Sequence, residues 1–321
     1  MMRIVTVAAA QMGPVAKSET RSRVVERLIA MLETAAGHGA DLVVYPELAL
    51  TTFFPRWYFE KEADLDAYYE REMPGPETAP LFEKAKQLGM GISIGYAELT
   101  PDGRRFNTAI LVGPDGALLG KYRKIHLPGH RENEPWRAFQ HLEKRYFLPG
   151  NLGFRVFDGF GGRIGMCICN DRRWPETYRV MGLQGVEMVL LGYNTPIHNP
   201  PAPEHDRLSW HHNSLVMQAG AYQNATFVVG VAKAGMEEGV HHMGGTQIIA
   251  PTGEAIACAV TEGDEVIVAD CDLDLCASYR QSVFAFERHR EPEAYRLITG
   301  TKGCVTPEEA VRIDPALGHE D

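Results

Sequence analysis

Three reactive side chains stand at the ends of short apolar runs. Val43-Val44-Tyr45-Pro46-Glu47 ends on a carboxylate, Gly120-Lys121-Tyr122-Arg123-Lys124 on an ammonium group, and Gly165-Met166-Cys167-Ile168-Cys169 on a thiol. After Cys169 comes a polar turn, Asn170-Asp171-Arg172-Arg173, and Pro175 then opens a helix, since the first helical position does not need the N–H that proline lacks. A strand, a sharp turn and a helix lift a nucleophile to the rim of a sheet, near backbone N–H groups that can hold an oxyanion. Thiol, carboxylate and ammonium group are together the parts of acyl transfer through a covalent thioester. A free thiol, with a pKa of about 8.5, is mostly protonated at neutral pH and needs a base. A carboxylate shut away from water beside a second carboxylate is a better base than an exposed one.

Each residue also has an ordinary reading when taken singly. A buried cysteine is a small hydrophobe. Glu47 could cap a helix, Lys124 could belong to a solvated Lys121-Arg123-Lys124 face, and Glu143 could be a surface charge in Glu143-Lys144-Arg145. Arg172 or Arg173 could pair with Asp171 or Glu176. Cys167 and Cys169 would share a face if both lay in the strand. A Cys-x-Cys metal site is the rival for that pair. It lacks a second ligand pair, because His211-His212 and His241-His242 are adjacent residues that point in different directions, so no metal site is expected.

The run around Cys169 resembles the nucleophile segment of the carbon–nitrogen hydrolase (nitrilase) superfamily through Cys169, Asp171, Arg173, Trp174, Pro175 and Glu176. Pro46-Glu47 before Leu48-Ala49-Leu50, and Lys124-Ile125-His126, resemble that superfamily's other two signatures, in the same order. A closer resemblance, to the N-carbamoyl-D-amino acid amidohydrolases, rests on Thr51–Trp57, Lys121–His130, His141–Phe147, Met181–Leu183 and Gly192–Pro196, and runs to about Ile298. It implies that Cys169 is the nucleophile, Glu47 the base and Glu143 an additional glutamate. Lys124 and the backbone N–H after Cys169 would hold the oxyanion. Arg172 resembles a carboxylate clamp and Arg173 fits the general superfamily pattern. His126, His141, Asn170, Asn194 and Thr195 match positions that line the pocket. His198, His205, His211 and His212 read as loop and helix-surface residues.

A guanidinium clamp implies a substrate with a free carboxylate. The activity implied is hydrolysis of an N-carbamoyl-D-amino acid to the amino acid, ammonia and carbon dioxide, without a cofactor, by a homo-oligomer, dimer or tetramer. The D configuration rests on the resemblance alone. An aliphatic amidase or β-ureidopropionase on the same scaffold is one alternative, and a catalytically silent scaffold protein is another.

These groups need rigid elements behind them. Strands are expected over Ile4–Ala10, Leu42–Tyr45, Gly91–Ala97, Asn107–Val112 and Ala117–Tyr122, with helices Thr20–Ala36 and Pro80–Leu88. The second half repeats the order: strand Arg163–Ile168, helix Pro175–Leu183, strand Glu187–Leu191, helix Leu208–Tyr222, then strands Phe227–Val231, Thr246–Ala250, Ala255–Ala259 and Glu265–Ala269, and helix Leu273–Phe286. Two similar halves suggest two sheets packed face to face with helices outside. Alternation alone would also suit a doubly wound sheet. The resemblance implies α/β class with a four-layer α-β-β-α sandwich, residues 1–300 forming the hydrolase domain and 301–321 a tail or oligomerisation arm.

With 321 residues, 45% of them hydrophobic, the chain can bury a full core. A net charge of −10 speaks against a nucleic-acid partner and gives no polybasic membrane patch. Met1 to Met12 alternates toward a strand and stops at Gly13-Pro14, unlike a secretory signal. No stretch reaches the ~18 apolar residues of a membrane span. Six scattered cysteines point to a reducing cytoplasm. The Pro-rich stretch Thr195–Pro203 is expected to be an ordered loop over a site.

Overall fold

The computed structural model describes residues 2–318; Met1 and the end of the expected tail, 319–321, lie outside the described residues. Fourteen strands run in chain order: β1 Ile4–Gln11, β2 Leu42–Val44, β3 Gly91–Leu99, β4 Arg105–Val112, β5 Leu118–Arg123, β6 Val156–Gly159, β7 Gly162–Ile168, β8 Met188–Tyr193, β9 Phe227–Ala232, β10 Ala234–Glu237, β11 Val240–Met243, β12 Gln247–Ile249, β13 Ala255–Cys258 and β14 Glu265–Asp272. One sheet has the order β14-β1-β2-β3-β4-β5, the other β13-β12-β9-β8-β7-β6, and β10 and β11 form a separate hairpin. The central strands β1-β2-β3 and β7-β8-β9 are parallel, and the flanking ones antiparallel.

Strand periodicity sorts the side chains into layers, because successive residues point to opposite faces. In β1, Val5, Val7 and Ala9 join Leu42 and Val44 of β2 in the apolar layer against the second sheet. Ala8 and Ala10 face the other way with Val43 and Tyr45, into a core closed by helices Arg21–Gly37 and Ala79–Leu88. Helices Pro175–Leu183 and Ser209–Asn224 supply Tyr178, Met181, Met217 and Ala221 to the outer face of the second sheet. The result is the expected α-β-β-α sandwich. No helix among the described residues is long and apolar enough to cross a membrane.

The last strand breaks the symmetry of the two halves. β14 crosses over and pairs antiparallel with β1 along its whole length. The helix expected over Leu273–Phe286 splits into Asp274–Arg280 and Phe286–His289. Ser282 Oγ donates to Ser278 O at 2.7 Å, an alternative to helical bonding that often bends or ends a helix.

Candidate active site

Three of the candidate side chains, Glu47, Lys124 and Cys169, hang just beyond the C-terminal ends of strands, the usual place for a site in an open α/β sheet. Lys124 follows β5. In that strand Lys121 and Arg123 point outward to Glu98, at 2.9 and 2.8 Å, so the alternation turns Lys124 inward. Its ammonium donates to Glu47 Oε1 at 2.7 Å and to Glu143 Oε2 at 2.6 Å, and all three side chains are fully buried. Glu143 likewise turns inward while Lys144 and Arg145 stay exposed. His141 Nε2 lies 2.8 Å from Glu143 Oε1. Glu47 is held by Asn107 Nδ2 on Oε1 (2.7 Å), and by Asn194 N on Oε2 (3.0 Å). Two glycines let its backbone pass between the sheets. A Cβ on Gly192 would stand 2.4 Å from Glu47 N, and one on Gly95 2.8 Å from Glu47 Cα.

Charge decides the resting protonation. Burial, followed by the neighbouring Glu143, raises the Glu47 carboxyl above the usual carboxylate range against the pull of Lys124. Burial also acts upward on Glu143, but Lys124 and His141 together outweigh it and hold Glu143 low. Burial works against the Lys124 ammonium, yet Cys169, Glu143 and Glu47 hold its pKa above that of a free lysine. Burial and the charge of Glu47 push the Cys169 thiol up to about 11. At rest Cys169 is therefore a thiol, beside a carboxylate with raised proton affinity that is placed to take its proton.

Cys169 is itself in the left-handed region at φ 50°, a conformation that costs a non-glycine residue about 1–3 kcal/mol and persists only where the surroundings hold it. Two neighbours do so. Asp171, fully buried, accepts from Ile168 N (3.0 Å), Tyr122 Oη (2.7 Å) and His126 N (2.9 Å). Arg172, 1% exposed, donates from Nη1 to Cys169 O at 2.7 Å, from Nη2 to Thr195 Oγ1 at 2.9 Å and from Nε to Asn213 Oδ1 at 2.9 Å. Its guanidinium also lies 4.3 Å from the centre of the Tyr193 ring. Neither arginine pairs with Asp171 or Glu176. Cys167 is a packed core residue, 1% exposed.

A cleft of about 370 Å³ opens over Cys169. Asn170, Asn194, Thr195, His141, Arg172 and Arg173 line it. His126 does not: its ring bonds Asp171 at 2.8 Å and stacks on Trp174 at 5.2 Å, which places it behind the turn. Asn194 gives its Nδ2 to Glu47 O at 2.8 Å, and its Oδ1 is a buried acceptor without a partner. The loop from Thr195 to Pro201 forms the outer wall, anchored where Asp206 takes His198 Nδ1 and Asn199 N, both at 2.7 Å. His198, His205 and His212 are exposed, as expected of surface residues, but they also rim the cleft. Among the described residues no group of three His, Cys, Asp or Glu side chains is placed to hold a metal ion.

The chain as a whole has counterparts among known proteins. The family model for carbon–nitrogen hydrolases matches residues 6–281. The chain belongs to that family. It is 32% identical over 313 residues to the N-carbamoylputrescine amidase of Solanum lycopersicum, covering 94% of this chain and 97% of that one. It is 31% identical over 271 residues to the citrullinase of Francisella tularensis subsp. tularensis, covering 81% and 87%. A carbon–nitrogen hydrolase from Helicobacter pylori G27 superposes with a TM-score of 0.79 at 23% identity, covering 92% of this chain and 97% of that chain, a likeness of fold.

For a carbon–nitrogen hydrolase, several supporting residues carried no local signal in the sequence. Asn107 lies inside β4, sixty positions from the carboxylate it holds. Asn213 sits on a helix and reaches Arg172 across 41 positions. Asp171 stood in the nucleophile motif, but its role as the hub of the turn appears only in its bonds.

Proposed function

We propose that this carbon–nitrogen hydrolase cleaves N-carbamoyl amino acids, of D configuration, to the amino acid, ammonia and carbon dioxide. The observation that carries the reading is the charge of the cleft. Its lining holds Arg137, Arg172, Arg173 and five histidines but no carboxylate. Arg137 is paired with Glu134 and Arg172 is saturated by protein acceptors. Arg173 has no hydrogen-bond or ion-pair partner among the described residues and faces the cleft. A substrate carboxylate finds a guanidinium there, whereas a substrate ending in an ammonium group would find no carboxylate among the lining residues.

In this mechanism Glu47 takes the thiol proton as Cys169 attacks the carbamoyl carbon. Lys124 and the backbone N–H after Cys169 balance the oxyanion. The unpaired Asn194 Oδ1 accepts an N–H of the urea. The leaving amine takes the proton back from Glu47. Water, activated by Glu47 or Glu143, then cleaves the thioester, freeing the thiol and a carbamic acid that breaks down to carbon dioxide and the remaining amine. No cofactor enters these steps. The D configuration is supported by the resemblance of Lys121–His130, His141–Phe147 and Gly192–Pro196. Six free cysteines suit a reducing cytoplasm. The tail from residue 301, with its capped helix Pro307–Ile313, suits an arm over a neighbouring subunit in a homo-oligomer. Ammonia release from N-carbamoyl-D- and N-carbamoyl-L-amino acids, N-carbamoylputrescine and simple amides tests the reading. The D-carbamoyl amino acids should give the highest kcat/KM, and a preference for N-carbamoylputrescine overturns it.

A further inference from the structure

A second buried cluster of charge lies beside the catalytic one, and none of the steps above uses it. Lys233 follows β9 as Asn194 follows β8 and Cys169 follows β7. Its ammonium donates to Thr51 O and stands 3.3 Å from Glu237 Oε2. Glu237, 1% exposed at the end of β10, gathers partners from separate stretches of chain. It accepts from Phe53 N at 2.7 Å and Val15 N at 3.0 Å, and faces His242 Nε2 at 3.3 Å and Arg56 Nη1 at 3.7 Å. Burial keeps His242 neutral, with a pKa down at about 4. The cluster is then two cations, Arg56 and Lys233, around a single carboxylate.

Two walls of the catalytic cleft are tied to this carboxylate. β10 and β11 join through Glu238 and Gly239, both at positive φ, as a two-residue turn matching the strand twist requires. β11 then clasps the substrate loop, with Met243 N on Thr195 O and Ile197 N on His241 O, both at 2.9 Å. On the other side, Phe53 lies edge-on to the His141 ring at 5.4 Å, and Leu142 N donates to Pro55 O at 2.7 Å. Thr195 on one wall and His141–Glu143 on the other are thus registered against each other through Glu237.

We propose that Glu237 is a positioning residue for the substrate: it sets the spacing between the Thr195–Ile197 wall and the His141–Glu143 turn without touching the reacting atoms. This rests on the reading that the cleft over Cys169 binds the substrate. The test uses Glu237→Gln, which keeps shape and loses charge, and the double variant Lys233→Met/Glu237→Gln, which removes a cation with the carboxylate. Steady-state kinetics, thermal denaturation and the rate of Cys169 alkylation by iodoacetamide are measured on the full chain. KM should rise about tenfold or more, since small misplacements cost that much, while alkylation changes by less than about twofold, the scale of a negligible energy difference. The double variant should regain Tm yet keep the raised KM, and it carries the test if Glu237→Gln fails to fold. A changed Tm with unchanged KM reduces Glu237 to a structural role, and alkylation shifting in step with KM places the damage at the nucleophile; either result overturns the proposal. If wild-type enzyme ignores carbamoyl amino acids, the substrate reading fails separately, and KM for the amide it does hydrolyse still tests Glu237.

Discussion

Lysine in place of Arg172 keeps a positive charge and loses the planar fork that serves three acceptors at once. In the structure those acceptors are Cys169 O, Thr195 Oγ1 and Asn213 Oδ1, at 2.7, 2.9 and 2.9 Å. A lysine ammonium on its single stem cannot reach all three, and each hydrogen bond to a charged donor is worth about 1.5–3 kcal/mol. Losing two gives a destabilisation of roughly 3–6 kcal/mol, which for a large domain means a Tm lower by on the order of 5–10 °C. Arg172 holds the backbone of Cys169, the proposed nucleophile, so the catalytic loss should be the same for an N-carbamoyl amino acid and for the neutral amide of that molecule. Arg173→Met should behave in the opposite way. It has no partner to lose among the described residues, so Tm stays put. One charge-assisted hydrogen bond to the substrate carboxylate, about 1.5–3 kcal/mol, removes roughly tenfold or more in kcat/KM from the carboxylate substrate alone. The assay is kcat/KM on both substrates with thermal denaturation of both variants. If Arg172→Lys lost only the carboxylate substrate at unchanged Tm, and Arg173→Met lost nothing, the reasoning would be refuted and the clamp would belong to Arg172.

Gly192→Ala puts a methyl group 2.4 Å from Glu47 N and 2.7 Å from Pro46 C. The backbone carrying Glu47, the proposed base, must shift, at about 1–3 kcal/mol for overpacking, so kcat should fall at least about tenfold; near-normal kcat would show that Glu47 is not held between the two glycines. Glu47 accepts a proton only when ionised and its carboxyl is raised, so kcat/KM should rise with pH through a midpoint above the ordinary glutamate value of about 4.3. A midpoint at or below that value contradicts the burial argument. By linkage, the raised Glu47 contributes stability below its unfolded pKa that is lost as pH climbs through the folded value, while the lowered Glu143 contributes above its unfolded pKa and loses that as pH falls. The Cys169 thiol at about 11 predicts iodoacetamide alkylation of resting enzyme that keeps rising from neutral pH toward that value; fast, pH-independent alkylation near neutrality would mean a preformed thiolate.

Glu47, Lys124 and Cys169 were legible in the sequence because each ends an apolar run and sits in a contiguous motif. The strand from Ile4 was legible too, as an apolar run, although both of its faces are apolar, Val5, Val7 and Ala9 on one and Ala8 and Ala10 on the other. Long-range contacts were not. Nothing near Glu265 says that β14 will leave its own half to pair with β1. The β10–β11 hairpin escaped notice because Glu238-Gly239 is not among the strong Asn-Gly or Asp-Gly turn signals, and with it went Glu237. His126 matched a pocket position in the motif, but its neighbours Asp171 and Trp174 draw the ring behind the turn. For Arg172, the sequence left open a clamp or an ion pair. Both nearby carboxylates proved unavailable for pairing, Asp171 spent on Ile168, Tyr122 and His126 and Glu176 exposed, so the guanidinium turned to neutral acceptors.

Mass spectrometry of enzyme quenched during turnover with an N-carbamoyl-D-amino acid would examine the thioester on Cys169 directly. Glu143→Gln should slow the water step and let the adduct accumulate. The expected result is a substrate-derived acyl group on the peptide carrying Cys169, absent from Cys169→Ala, which should keep its fold and lose turnover. Turnover retained in Cys169→Ala, or an adduct on Cys167 in its place, would contradict a thioester mechanism at this turn.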